Sequence, residues 1–410
     1  MNRRFLSCLL VCALSGVPVW LGSAKPAAPN AKQNEKVITN SLRMKLLLED
    51  GSEFEGLAFG AYRPVIGEVV FTTAMSGYVE SLTDPSFRGQ ILVLAYPLAG
   101  NYGVPAARRA GSIDAPYESS QVQVQGLVAQ HAISCPSHHA SARTLGDWLT
   151  SEGVPAITGI DTRSLIRRLR EHGTMRGWLV PGNGSMEQQK QFATGVEMQR
   201  ELFHLVAPKE PVQLGGEDGP HVLVVDVGAK DNLVRALLKR GVRVTRAPWH
   251  ADLGSLASAV DGVLIGNGPG DPQDLGELVM QVRLLFKRPD LPIFGVCFGH
   301  QILGLAAGGE TYKLPYGHRG ANQPVQEIGT RRCFITSQNH GYAVNERTLP
   351  RDWEPWFVNL NDGTNEGIRA RFKPIFSIQF HPEACPGPRD TAFLLDEFLH
   401  LCGSAHQATP

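Results

Sequence analysis

The sequence predicts an α/β protein in two parts: an N-terminal α+β half, followed by a mostly parallel sheet covered by helices. Three observations predict it. At 410 residues the chain exceeds what one ordinary core accommodates. The first half alternates apolar and polar residues in short runs bounded by turn residues, the pattern of half-buried strands. The second half alternates apolar β-branched runs with amphipathic segments, as strands buried on both faces between helices do. Lys+Arg and Asp+Glu both number 39, so no basic excess points to nucleic acid and no acidic excess to a solvating tail. The cysteines, Cys8, Cys12, Cys135, Cys297, Cys333, Cys385 and Cys402, contain no CxxC pair, a pattern of reduced thiols rather than of disulfides or a zinc site.

Residues 1–43 read as a leader. Arg3 and Arg4 precede an apolar run from Phe5 to Leu21, with Gly22, Ser23 and Ala24 where a peptidase would cut. Ser15, Gly16 and Pro18 interrupt the run, so no stable membrane anchor is expected. Lys25, Lys32, Lys36 and Arg43 against the single acid Glu35 suit organelle import as well as a signal peptide.

The first folded region spans 44–207. KLLLEDGSEFEGLAFG is a hairpin around Asp50-Gly51. GEVVFTTAM and QILVLAYP are further strands, separated by a turn cluster at Thr83, Asp84, Pro85 and Ser86. SSQVQVQGLVAQHA alternates from Ser119 to Ala132. TLGDWLTSEG reads as a helix, VPAITGI as a short strand, and DTRSLIRRLREHG as a helix capped by Asp161 and stopped by Gly173. Its Arg163, Arg167, Arg168 and Arg170 read as a solvated face rather than a partner surface. KEPVQLGGEDGP marks a linker at 208–219, and 220–403 forms the second region before a tail at 404–410. There HVLVVDVG, VRVTRAPW, DGVLIGNGPG and PIFGVCFG are strands, with helices from Asp231 to Arg240 and Leu275 to Phe286 between them. Ligands on such sheets sit at the carboxyl ends of the strands, which places Gly268-Pro269-Gly270 and Cys297 at one crevice.

Cys297 lies between an apolar strand and an apolar helical segment, flanked by Gly295 and Gly299. A buried structural cysteine has no need of such glycines, whereas a strained strand-to-helix turn does. A thiol there stands beside the free N–H groups of a helix N-terminus, which favours the thiolate. A cysteine nucleophile needs a base and an orienting acid. In FSIQFHPEACPGP, His381 and Glu383 are two residues apart, so on a strand both leave the same face. The glycine-rich turn at Asn267–Pro272 and the N–H of Phe298 offer oxyanion donors for an acyl-thioester reaction.

GNGPGDP, FGVCFGHQILGLAAG and FHPE, in this order, resemble class I (triad-type) glutamine amidotransferases. Gly67 to Gly103, IDTRSLIRRLREHG and SQNHGYAV are similar to the small, glutaminase subunit of carbamoyl-phosphate synthetase, and the likeness runs from Met44 to Cys402. The resemblance implies an N-terminal small-subunit domain followed by a class I amidotransferase domain. It implies hydrolysis of L-glutamine to glutamate and ammonia, and passage of ammonia through a tunnel to a large, ATP-consuming synthetase subunit that makes carbamoyl phosphate. By motif, Cys297 is the nucleophile, His381 the general base and acid, and Glu383 its orienter; Gly268 and Phe298 supply oxyanion N–H groups. Ser86, Gly268, Gly270, Phe298, Gln301, Asn339, Gly341 and Tyr342 match glutamine-binding positions, which brings the first region, through Ser86, against the site. No metal or cofactor is implied in this chain; ATP and Mg belong to the partner. Phe298 stands where the family usually has leucine, a change that leaves the backbone donor but can alter the pocket. The chain ends shortly after TAFLLDEFLHLCG without a synthetase region, so either a separate large subunit exists or this is a fragment of a fused enzyme. Alternatives are an amidotransferase for another acceptor and a catalytically silent tunnel or assembly subunit. An ATP-dependent partner argues for an organelle, mitochondrion or plastid, after removal of the leader, with the cytoplasm as the alternative.

Overall fold

The computed structural model describes residues 42–109, 111–182, 187, 190–191 and 201–407. Residues 1–41 of the leader and 408–410 of the tail lie outside the described residues. The hairpin forms β1 (Arg43–Leu48) and β2 (Glu53–Ala58), antiparallel, with Arg43 opposite Leu57; the strand thus begins one residue inside the stretch read as leader. The rest of the first half is β3 (Val65–Thr72), α1 (Tyr78–Thr83), a 3-10 turn (Pro85–Phe87), β4 (Gln90–Leu94), β5 (Leu98–Ala99), β6 (Gly126–Ala129) and β7 (His131–Ala132). It continues with α2 (Leu145–Ser151), β8 (Ala156–Thr158), α3 (Thr162–His172) and β9 (Met175–Pro181).

Seven of these strands close into a barrel in the order β1-β2-β8-β6-β4-β3-β9. Closure removes the unpaired strand edges that a short open sheet would leave. Alternate residues divide between two cores, as a period of two requires. Val69, Ile91, Val93 and Val128 pack with Leu165 and Leu169 of α3. Val70, Leu92, Leu127 and Ala129 pack with Trp148 of α2 and Val79 of α1. In α3 the Asp161 carboxylate accepts the Ser164 N–H and Gly173, at φ 90°, ends the helix. Arg163, Arg167 and Arg170 are exposed, so most of the arginine face is solvated; Arg168 pairs with Asp50 at 2.5 Å.

Two local departures from the sequence pattern have identifiable causes. Of the alternating run 119–132, only Gly126–Ala129 and His131–Ala132 are strand, because the preceding backbone is taken by other partners. The Gln123 N–H donates to Leu82 O at the end of α1, and the Gln125 N–H to Gln90 O, both at 2.8 Å. The turn cluster is preceded by helix α1, whose buried Tyr78, Val79 and Leu82 anchor it in the core shared with Val70, Leu92 and Leu127.

The second half comprises α4 (Glu201–Val206), β10 (Val212–Leu214), β11 (His221–Asp226), α5 (Asp231–Leu238), β12 (Arg243–Pro248), α6 (Leu253–Ala257), β13 (Gly262–Ile265), α7 (Gly276–Leu285), β14 (Ile293–Val296) and α8 (Phe298–Ala307). Then come β15 (Glu310–Glu327), β16 (Cys333–Asn345), β17 (Trp353–Asn359), β18 (Asn365–Ala370), β19 (Ile375–Ile378) and α9 (Phe393–Gln407). They form one ten-stranded sheet, β10-β12-β11-β13-β14-β19-β18-β17-β15-β16. Its five strands β12, β11, β13, β14 and β19 are parallel. Val222, Val224, Leu264 and Phe294 face α5 and α9 on one side. Leu223, Val225, Val263 and Ile293 face α6, α7 and α8 on the other. Strand β10 pairs antiparallel with β12 inside the stretch read as linker. On the far side β18, β17, β15 and β16 continue the sheet antiparallel. The long β15 and β16 are hidden in sequence by Pro315, Pro324 and several glycines; register shifts at Lys313/His318 and Gly320/Gln323 accommodate them. Among the described residues no helix is long and apolar enough to cross a membrane, and Cys135, Cys297, Cys333, Cys385 and Cys402 are unpaired thiols.

Candidate active site

Strand β14 is four buried residues, IFGV, and it delivers Cys297 to the carboxyl edge of the parallel sheet. Cys297 adopts φ 56° and ψ −103°, a conformation costly for any L-residue, and it caps the start of α8. Its N–H donates to Ile378 O of the neighbouring β19 at 2.9 Å. The flanking glycines are required by close approach: a Cβ on Gly295 would lie 2.6 Å from Gly299 O, and one on Gly299 2.1 Å from Ile265 O. As the first helical residue, Phe298 carries an N–H with no intrahelical partner. Its ring is buried in the core beside Phe203 of α4, centroids 5.6 Å apart, so the chain accommodates an aromatic side chain here.

His381 and Glu383 lie beyond the strand on which the sequence pattern places them. Strand β19 ends at Ile378, and the two residues occupy a turn closed by the Ala384 N–H donating to His381 O at 3.2 Å. Pro382 has no N–H for a ladder, and Ala384 and Cys385 take φ of 59° and 58°. The turn, rather than strand periodicity, brings the pair together: His381 Nδ1 lies 2.7 Å from Glu383 Oε1. The other ring nitrogen, Nε2, is buried with no hydrogen-bond partner in the protein.

Lys230, which caps the start of α5 after β11, completes this group and is not legible as a site residue; only its place after a buried parallel strand hints at it. It is 2% exposed, donates to Ala384 O at 2.6 Å and stands 3.3 Å from Glu383 Oε1. Asn232 of α5 donates to Glu383 O at 2.6 Å. Burial is the largest influence on the His381 ring and opposes its charge, but the Glu383 carboxylate and the Cys297 sulfur outweigh it and raise the pKa to about 10. Burial also opposes the Glu383 charge, yet His381 and Lys230 hold that carboxyl down to about 2. Lys230, desolvated but surrounded by Glu383, Glu118 and Asp84, is raised above the ordinary lysine value.

One crevice collects the other residues singled out from the sequence. Gly268, Gly270 and Cys297 line it from beyond the parallel strand ends, and Phe298 and Gln301 from the first turn of α8. Asn339, Gly341 and Tyr342 line it from β16, and Ser86 from the barrel half. The Cys297 sulfur lies 3.6 Å from Asn339 O. Asn267 donates to Ser86 Oγ at 2.9 Å, and the Asn339 amide donates to Asp84 at 2.9 Å, so the barrel and the sheet meet at the crevice. Gln301 donates to Tyr342 O at 2.9 Å, which fixes its amide. His381 and Glu383 do not line this crevice; His381 borders an adjoining cavity with Asp84, Lys230, Asn339 and Cys385. Sequence reading also missed the charged residues Lys313 and Arg319 of β15 in the crevice wall, because β15 carries no recognisable pattern, and Glu68 of β3, a recognised strand whose pattern does not show that this side chain reaches the crevice.

His318, His340 and Glu366 form the one group of potential metal-ligating side chains among the described residues. Protein partners engage most of their polar atoms: His318 Nε2 meets Asp362 at 2.8 Å, His340 Nδ1 meets Tyr342 O at 2.8 Å, and Glu366 accepts the Gln338 and Asn359 amides at 2.9 and 2.8 Å.

Residues 223–401 match the profile of glutamine amidotransferase class-I, which makes the large-sheet half an enzyme of that class. Residues 46–179 match the carbamoyl-phosphate synthase small chain, CPSase domain. A carbamoyl phosphate synthase small chain from Symbiobacterium thermophilum is 49% identical over 362 residues, covering 86% of this chain and 97% of that protein. A carbamoyl phosphate synthase arginine-specific small chain from Neosartorya fischeri is 46% identical over 359 residues, covering 87% of this chain and 79% of that protein. A glutamine amidotransferase of known structure from Thermotoga maritima overlaps 47% of this chain and 92% of its own at 16% identity and a TM-score of 0.34. The chain belongs to the carbamoyl-phosphate synthase small-chain family.

Proposed function

We propose that this chain hydrolyses L-glutamine at Cys297 and delivers the ammonia to a large synthetase chain for carbamoyl phosphate formation. The observation that carries the reading is the arrangement at the sheet edge: a cysteine on a strained turn in the crevice, and a buried imidazole with Nδ1 held by Glu383 and Nε2 unpaired. In this reading the Cys297 thiol proton passes to His381 Nε2, the sulfur attacks the side-chain amide carbon, and the N–H groups of Gly268 and Phe298 take the developing oxyanion. His381 gives its Nε2 proton to the departing nitrogen, which leaves as ammonia and breaks the C–N bond. His381 then takes a proton from water as its oxygen attacks the glutamyl thioester. Glutamate leaves and the proton returns to sulfur. Glu383 keeps the ring oriented, and Lys230 keeps Glu383 ionised.

Ser86, Gly270, Gln301, Asn339, Gly341 and Tyr342 bind the substrate in this reading, supported by their shared crevice. In this reading ammonia leaves by way of the cavity that His381 borders. ATP and Mg act on the large chain, and this chain supplies no cofactor. The match over 46–179 favours a carbamoyl phosphate partner over another acceptor, and the accommodated Phe298 ring favours an active site over a silent one. Cys297→Ser is expected to abolish glutamine-dependent carbamoyl phosphate synthesis by the reconstituted complex while leaving ammonia-dependent synthesis intact; retained glutamine use would overturn the assignment. Residues 1–43 act as an organelle-targeting leader in the same reading, supported by their basic, acid-poor composition. A fluorescent fusion of this segment should enter mitochondria or plastids, and a diffuse cytoplasmic or secreted reporter would contradict it.

A further inference from the structure

Arg319 is a buried cation in the crevice wall that the chemistry described so far does not use. It lies on β15 directly opposite Asn339 of β16, and its backbone carbonyl accepts the Thr73 N–H of the barrel at 3.0 Å. The residue is 6% exposed. One terminal nitrogen, Nη1, donates to Tyr316 O at 2.7 Å, while Nε is buried with no hydrogen-bond partner. No carboxylate forms an ion pair with it among the described residues. The nearby Glu68 cannot serve that role easily, because its oxygens already take the Thr174 hydroxyl at 2.8 Å, the Lys313 ammonium at 2.7 Å and the Gln90 amide at 2.9 Å. A desolvated guanidinium without a paired anion is unfavourable unless the site is built to receive one.

The direction of the unused edge is given by its neighbours. A Cβ placed on Gly341 would meet Arg319 Nη2 at 3.3 Å and no other atom within 4 Å, so Nη2 borders the open side of Gly341. Gly341, Cys297 and Gln301 line the same crevice as Arg319. Nε and Nη2 form the side-on edge of the guanidinium, whose two parallel donors match the two oxygens of a carboxylate. We propose that Arg319 binds the α-carboxylate of glutamine and thereby makes the site selective for an amino-acid amide over a simple amide. The inference rests on the glutaminase reading and adds a specificity-determining residue to it. Arg319 acts on binding, since the reacting carbon lies at the other end of the substrate.

The test compares L-glutamine with 4-aminobutanamide, which lacks only the α-carboxylate. In the full-length chain, Arg319→Met is expected to raise KM for L-glutamine by roughly 100-fold or more, with kcat little changed, because a site built around a polar group discriminates strongly on it. Its kcat/KM for 4-aminobutanamide should equal that of the wild type, and Arg319→Lys should recover part of the glutamine affinity. An unchanged KM for glutamine, or an equal loss on both amides, would overturn the proposal. Alkylation of Cys297 by iodoacetamide at the wild-type rate reports that the variant is folded. Calorimetry on a Cys297→Ala background separates the two readings: weaker L-glutamine binding on adding Arg319→Met supports the carboxylate site even without turnover, and equal affinities reject it. A wild-type chain that binds glutamine yet hydrolyses none would refute the glutaminase reading alone.

Discussion

At the scale of single residues, the site depends on a buried chain of charges. Lys230 and His381 both address Glu383 Oε1, and neither lysine nor glutamate is more than 5% exposed. Glu383 is held at about 2, below its ordinary value of 4.5, so the native state stabilises the ionised form. A depressed carboxyl contributes stability that is fully present above its unfolded value and is lost as pH falls through the folded one. The contribution of Glu383 is therefore complete above about pH 4.5 and disappears towards pH 2. Lys230→Met removes one of the two cations that depress this carboxyl. The acid limb of the glutaminase pH profile should move upward by about one unit or more, with acid unfolding shifted in the same direction. Parallel pH-rate and thermal-melt series on wild type and variant would check this, and superimposable profiles would exclude Lys230 from the control of Glu383.

At the scale of elements, the decisive unit is β14, the turn and α8. The helix can start directly after Cys297 because Gly299 lets its first turn lie against the end of β13. Gly299→Ala would drive a methyl group into Ile265 O, an atom of the sheet that cannot move independently. The expected result is a loss of roughly 1–3 kcal/mol from overpacking, together with a displaced sulfur. Urea denaturation would show the stability change. Alkylation of Cys297 and glutamine turnover should fall together by more than tenfold, since a displacement of about 1 Å costs on the order of a hundredfold. Wild-type turnover in this variant would mean that the turn is more pliable than its glycine contacts indicate.

At the scale of the whole molecule, the barrel and the large sheet share buried polar contacts around the site. Glu118, from the barrel side, is fully buried and accepts the Arg235 guanidinium at 2.9 Å and the Asn232 N–H at 2.9 Å. Asn232 in turn holds the Glu383 carbonyl, and the ion pair between Arg108 and Asp231 joins the same helix to the barrel. Glu118→Ala leaves Arg235 buried without its carboxylate. We expect about 3–5 kcal/mol of lost stability, as for other broken buried pairs. Glutamine turnover should also drop, because α5 supports the His381 turn. Combined denaturant and kinetic measurements would check both effects, and a variant with wild-type stability would show that the two halves are coupled elsewhere.

Much of this protein is determined locally, and those parts are legible. The period of two in KLLLEDGSEFEGLAFG specifies the hairpin, Asp161 and Gly173 bound α3, and the buried runs VLVV, GVLI and IFGV specify parallel strands between helices. Gly295 and Gly299 around Cys297 marked the turn because only close approach requires glycine there. What tertiary structure alone decided depends on contacts between distant segments. Barrel closure joins β1 to β9, more than a hundred residues apart in sequence, and no local pattern encodes that pairing. The His381 and Glu383 side chains meet in a turn held by Lys230 and Asn232, whereas sequence spacing had put them on a strand. Strands β15 and β16, broken in pattern by prolines and glycines, bring Arg319 and Asn339 into the crevice only through their pairing with each other. Periodicity and turn chemistry act over a few residues, so they specify elements and the cysteine turn; the charges around that turn come from segments that only the completed fold brings together.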